Sequence, residues 1–128
     1  LYLWSNTVTT YFLDASFVIA LELKDEQQHQ LTKTCWQGLI KTAPQLVSTS
    51  YVFDEIVTFF NSRARHDKAV EVGNRLLNSS VVNLVQVDKV LFLKGWQYFQ
   101  KHQDKSYSLT DCISFLVMQQ LEIQTALT

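Results

Sequence analysis

Glycine and proline are scarce in this chain, with three Gly and one Pro in 128 residues. A sandwich or barrel of short strands needs many tight turns, so this scarcity argues against an all-β architecture. An excess of one charge is missing too: eleven Lys and Arg stand against twelve Asp and Glu. The broad basic field of a dedicated nucleic-acid coat is therefore excluded, and a polyanionic partner must be met by a local patch or through metal ions. No apolar run approaches the roughly 20 residues needed to span a bilayer, so no membrane partner is expected. Leu1 to Thr9 is apolar but has neither a basic leader nor a small-residue cleavage site, so no signal peptide is expected. The only cysteines, Cys35 and Cys112, lie far apart and outside any C-x-x-C spacing. They read as buried free thiols in a reducing, cytoplasmic compartment.

What is present points to a packed core. Hydrophobic residues make up 47% of the chain and charged residues 18%, which excludes a disordered polyelectrolyte. The length suits one domain over residues 1–128, large enough to fold without disulfide or metal staples.

The hydrophobic pattern alternates between strand and helix. Val8–Leu13 is a short β-rich run ending at Asp14, followed by a short helix to Leu23. A second helix is expected from an Asp25 cap to Lys41, with Leu31, Cys35 and Leu39 inward, and the Ala43-Pro44 pair stops it. Gln45–Ser48 is a second strand, and Thr49 or Ser50 caps a helix to Arg63 with Val52, Ile56, Phe59 and Phe60 apolar. His66–Asn78 is expected to bury Val70, Leu76 and Leu77. Val81–Val87 reads as a strand, and Asp88 caps a helix to about His102 through Val90, Leu93 and Trp96. Leu109–Leu121 is the last helix and Ile123–Thr128 a fourth strand cut short. Brief apolar strands between helices predict an α/β domain with a short, mainly parallel sheet of about four strands.

In such sheets ligands gather at the carboxyl ends of the strands. Asp14 follows strand one, Glu55 lies early in the helix after strand two, and Asp111 opens the last helix. Three acids brought together repel one another unless a cation sits among them, and a hard divalent ion suits oxygen ligands. Such a site can activate water against a phosphodiester without a Ser, Cys or His nucleophile. Singly, each acid has a plainer role. Asp14 can end a strand, Glu55 can favour a helix dipole, and Ser108-x-x-Asp111 is close to a capping box. His29, His66 and His102 sit at polar positions without metal-ligand spacing and read as solvated.

The local sequences around these acids narrow the choice. FLDASFVIAL (Phe12 to Leu21), TSYVFDEIVTFF (Thr49 to Phe60) and YSLTDCISFLVM (Tyr107 to Met118) resemble, in order, the three motifs of PIN domains. The resemblance spans essentially the whole chain and is nearest to the short bacterial and archaeal members, many of them VapC-type toxins of toxin–antitoxin pairs. It implies a Mg²⁺- or Mn²⁺-dependent endoribonuclease with Asp14, Glu55 and Asp111 as catalytic, metal-binding acids. Ser16 and Thr110 match the family's hydroxyl positions, where they orient carboxylates or water, or simply cap helices. It also implies a homodimer, an RNA substrate and an antitoxin partner seated in an apolar groove. Phe59, Phe60, Trp96 and Phe99 are candidates for that groove or for the dimer face, although most are expected in the core. The family carries a further acid beyond its last strand, whereas Ala126-Leu127-Thr128 ends this sequence, so the C-terminal end reads as incomplete or that acid as missing.

For RNA contact the local candidates are Arg63, Arg65 and Lys68, just beyond the Glu55 helix. The competing reading is a catalytically degenerate PIN domain that binds RNA or protein. A receiver-type phosphoacceptor needs adjacent acids after strand one, where Ala15 follows Asp14. A haloacid-dehalogenase-like phosphatase needs an acid where Ser16 stands.

Overall fold

The computed structural model describes residues 8–128, so the reading of Leu1 to Thr9 as no signal peptide lies largely outside it. Ten elements follow one another: β1 (Thr10–Leu13), α1 (Ala15–Glu22), α2 (His29–Ile40), β2 (Gln45–Thr49), α3 (Ser50–Ser62), α4 (His66–Asn78), β3 (Val82–Val85), α5 (Lys89–Lys101), α6 (Leu109–Gln120) and β4 (Ala126–Leu127). The strands form one sheet in the order β3-β2-β1-β4, every pairing parallel. The expected α/β class and four-stranded parallel sheet are therefore present.

That order dictates where a site can form. The chain runs outward from β1 to β2 to β3, then returns to add β4 on the other side of β1. The direction reverses between β1 and β4, so the carboxyl end of β1 lies at the topological switch point, where loops diverge and leave a crevice. Asp14 is the next residue.

Local chemistry sets several boundaries. The Thr49 hydroxyl accepts from the Val52 N–H, the Asp88 carboxylate from Leu91, and the Ser108 hydroxyl from Asp111. The second helix starts later than its Asp25 cap suggested, because residues 24–28 turn instead, with Glu26 bonded back to Leu23 and His29 to Glu26. It ends at Ile40, and Ala43 takes a positive φ of 49° before Pro44 turns the chain into β2.

One core lies over both sides of the sheet, centred on Phe12, Ile56, Phe60, Ile113, Val52 and Val72, all fully buried. Three helices present a different face from the one the large apolar residues suggested. In α2, Leu39 packs on the core as expected, but Leu31 and Cys35 are exposed while Thr32 is buried and Trp36 packs on the core. In α4 Leu76 packs on the core as expected, but the buried residues are Ala69, Val72 and Gly73, leaving Val70 and Leu77 exposed. In α5 they are Leu91 and Gly95, leaving Val90, Leu93 and Trp96 exposed. Small residues face inward because they let helices approach closely: a Cβ on Gly95 would lie 2.5 Å from Ile113 Cγ1. Both thiols are free, but only Cys112 is buried. Two histidines are also less solvated than expected. His29 and His102 are half-buried, each with Nδ1 2.8 Å from a backbone carbonyl, of Ala20 and Tyr98 respectively.

No described helix is long and apolar enough to cross a membrane.

Candidate active site

Asp14 leaves β1 with its backbone fixed from both sides. Its N–H donates to the Leu127 carbonyl of β4 at 3.0 Å. The carbonyl just before it, on Leu13, accepts the buried Ser48 hydroxyl of β2 at 2.7 Å. Asp14 stands at the N-cap position of α1 but makes no side-chain capping bond there. Ser16 Oγ reaches its Oδ2 at 3.4 Å.

Glu55 comes from the second turn of α3 and stands exposed at the rim. Asp111 comes from the first turn of α6 and does form the capping box: its Oδ2 accepts from Ser108 N–H at 3.0 Å while Ser108 Oγ accepts from Asp111 N–H at 3.0 Å. That role occupies one carboxylate oxygen and leaves the other without a hydrogen bond among the described residues. The plainer reading of Asp111 is therefore true and does not exhaust the residue.

The three acids border one open cleft of about 540 Å³, with Ser16, Asp54, Thr58, Phe59 and Ser108 also on its walls. Thr110 is not among the lining residues; its carbonyl accepts the Ser114 hydroxyl at 2.9 Å. Asp54 was not anticipated. It adds a fourth carboxylate and accepts from Thr58 Oγ1 at 3.4 Å, one helical turn on. Thr58 and Phe59 carried a readable signal, since they lie three and four residues after Glu55 on the same helix face.

The electrostatics are those of crowded like charges. Burial raises the Asp14 pKa above its ordinary value; the Ala15 backbone N–H and Ser16 oppose this, and the Asp111 charge adds to it. Glu55, although exposed, is raised by partial desolvation against its neighbours and then by the charges of Asp14, Asp111 and Asp54. None of the lining residues is Lys or Arg, and none of these acids forms an ion pair among the described residues.

The donor set is all oxygen and unneutralised, which fits a hard divalent cation. No three His, Cys, Asp or Glu side chains among the described residues form a ready-made cage. Mg²⁺ does not require one, because it keeps several waters and takes one or two carboxylates directly.

The three anticipated cations separate. Lys68 Nζ pairs with Glu22 at 3.1 Å and Glu71 at 3.6 Å, which commits it to the α1–α4 contact. Arg65 pairs with Asp67 at 3.5 Å in solvent. Arg63 instead lies over the ring of Phe59, a wall residue of the cleft. The anticipated aromatics separate likewise: Phe60 is core, whereas Trp96 and Phe99 are stacked and exposed on α5.

The sequence profile of the PIN domain matches residues 11–128, from β1 to the last residue. The chain belongs to the PIN domain family. A relative from Mycobacterium tuberculosis (strain H37Rv), the 23S rRNA-specific endonuclease VapC20, is 31% identical over 115 residues, covering 90% of this chain and 85% of its own. The same protein from strain CDC 1551 / Oshkosh matches equally. The crystal structure of M. tuberculosis VapC20, described as a Sarcin-Ricin loop cleaving toxin, superposes with a TM-score of 0.81 at 29% identity, covering 91% of this chain and 86% of that one. This PIN domain therefore shares both sequence and fold with an endonuclease over most of its length.

Proposed function

We propose that this PIN domain is a Mg²⁺- or Mn²⁺-dependent endoribonuclease acting through Asp14, Glu55 and Asp111, and that it is the toxin of a toxin–antitoxin pair. The carrying observation is the convergence of these acids on one cleft that has no Lys or Arg on its walls. When bound, a divalent cation supplies Lewis acidity: it acidifies water and offsets charge on the phosphate. Asp14, whose backbone is pinned next to Ser48 and Leu127, would offer its carboxylate to the ion from the end of β1. Glu55 borders the same cleft and would hold the cation together with Asp14. Asp111 keeps one oxygen on the Ser108 backbone, and its other oxygen would be free to hold the ion. Ser16 steadies Asp14.

The names of the relatives make structured ribosomal RNA loops the first substrates to try. An apolar cavity of about 170 Å³ beside α1, α2 and α4, lined by Phe17, Leu21, Trp36 and Leu76 among others, suits the apolar face of an antitoxin peptide. The exposed aliphatic and aromatic side chains of α5, Val90, Leu93, Trp96 and Phe99, suit a homodimer face. A cytoplasmic location accords with two free thiols.

A second reading is a binding module that has lost catalysis, in which Asp111 serves only its capping box with Ser108. The test is incubation of purified protein with RNA, with and without Mg²⁺ or Mn²⁺. Metal-dependent cleavage that falls on the order of a hundredfold or more in Asp14→Asn supports the nuclease. Equal RNA stability with folded wild type and variant supports the binding module.

A further inference from the structure

A cleft with four carboxylates on its walls is a poor place to hold a polyanion. Any bound cation neutralises charge at the scissile phosphate, but the neighbouring phosphates of the same strand still meet acidic walls. Retaining the strand calls for a protein cation beside the cleft.

Arg63 is placed for that. Glu55, Phe59 and Arg63 follow at i, i+4 and i+8, so one stripe of α3 runs from the acid to the C-cap residue, with about 12 Å of rise between the Cα atoms of Glu55 and Arg63. The Arg63 guanidinium folds back along it to Phe59. The Arg63 Cζ lies 3.6 Å from the centroid of the Phe59 ring. Nη1 donates to the Phe59 carbonyl at 3.3 Å and to Ser62 Oγ at 3.5 Å. These contacts fix the plane of the guanidinium, while Nε and Nη2 have no hydrogen-bonding partner among the described residues. Arg63 forms no ion pair among the described residues either, whereas Arg65 and Lys68 both do.

We infer that Arg63, held on Phe59, is a phosphate-binding subsite for the RNA strand beside the scissile position. The inference rests on the reading of the cleft as an RNA-cutting site. A guanidinium stacked on a ring has lost much of its conformational freedom before the ligand arrives, and its open N–H edge matches two phosphate oxygens. Lysine at this position keeps the charge and loses the fork.

The test uses the full chain carrying Asp14→Asn, so that the RNA survives, and a short fluorescent single-stranded RNA whose affinity is measured across a salt series. Adding Arg63→Ala is expected to weaken binding and to flatten the slope of log K against log salt by about 0.7, the signature of one lost phosphate contact. Arg63→Lys recovers the slope and only part of the affinity, and Arg65→Ala changes neither. Thermal melting checks that each variant is folded. An unchanged slope and affinity in Arg63→Ala, or equal losses from Arg63→Ala and Arg65→Ala, overturns the subsite. Cleavage by the chain with Asp14 intact is a separate arm. If that chain cuts RNA and Arg63→Ala has no effect on KM or slope, the subsite alone falls. If it does not cut but Arg63→Ala flattens the slope, the nuclease reading falls, and with it the subsite as a neighbour of a scissile position, leaving Arg63 as an RNA phosphate contact.

Discussion

The hydroxyl of Ser48 donates a 2.7 Å hydrogen bond to the carbonyl of Leu13, the residue immediately before Asp14. Ser48 is buried, so no water replaces the bond when the hydroxyl is removed. Ser48→Ala is expected to cost about 1–3 kcal/mol in urea denaturation, the penalty of leaving a buried carbonyl unmatched. A loss no greater than that of an exposed Ser→Ala change contradicts this role.

The raised pKa values of Asp14 and Glu55 make stability depend on pH. For an acid raised on folding, the native state binds more protons than the unfolded state between the two pKa values, so stability falls as pH rises through that window. In metal-free protein, Asp14→Asn should therefore melt higher than wild type at neutral pH. The gain should shrink as pH falls through the raised value and be absent below the ordinary carboxylate range. Melting curves across pH read this directly, and a gain that does not vary with pH argues against charge crowding.

Gly95 bears on the packing of α5 against α6. Its missing Cβ would lie 2.5 Å from Ile113 Cγ1, and Ile113 is fully buried. Gly95→Ala should destabilise by about 1–3 kcal/mol through overpacking, despite the better helix propensity of alanine. Stabilisation in urea melts contradicts that packing.

Glu22 joins Lys68 and Arg75 across the α1–α4 contact, with its side chain 14% exposed. Glu22→Ala should cost about 2 kcal/mol, because hydrogen bonds to charged groups are lost in a partly buried place. Lys68→Ala should lower stability without changing the salt dependence of RNA binding. An altered salt slope there returns Lys68 to the RNA surface.

What the sequence made legible was local or governed by topology. Thr49, Asp88 and Ser108 announced their helices because a cap needs only a residue and its next turn. Topology could bring Asp14, Glu55 and Asp111 to one sheet edge, but it was the resemblance of their local sequences to the three PIN motifs that singled them out as a group. Inward faces were harder to read. Leu31, Val70 and Val90 are large and apolar but exposed, whereas Thr32, Gly73 and Gly95 face neighbouring helices that approach closely. The size of a residue does not report how near the next helix will come. The fate of Lys68 depended on Glu22, distant in sequence, whereas the Arg63–Phe59 pair spans a single turn and lay within reach of a periodicity argument.

Joint binding of a divalent ion by Asp14, Glu55 and Asp111 is the most direct test of the proposed site. Titration of Mn²⁺ into the metal-free protein, followed by the loss of its free-ion paramagnetic resonance signal, measures this without RNA. Wild type should take up Mn²⁺, Mg²⁺ should compete for the same site, and Asp14→Asn, Glu55→Gln and Asp111→Asn should each weaken uptake while the chain stays folded. Uptake that is absent in wild type, or unchanged in all three variants, contradicts the account.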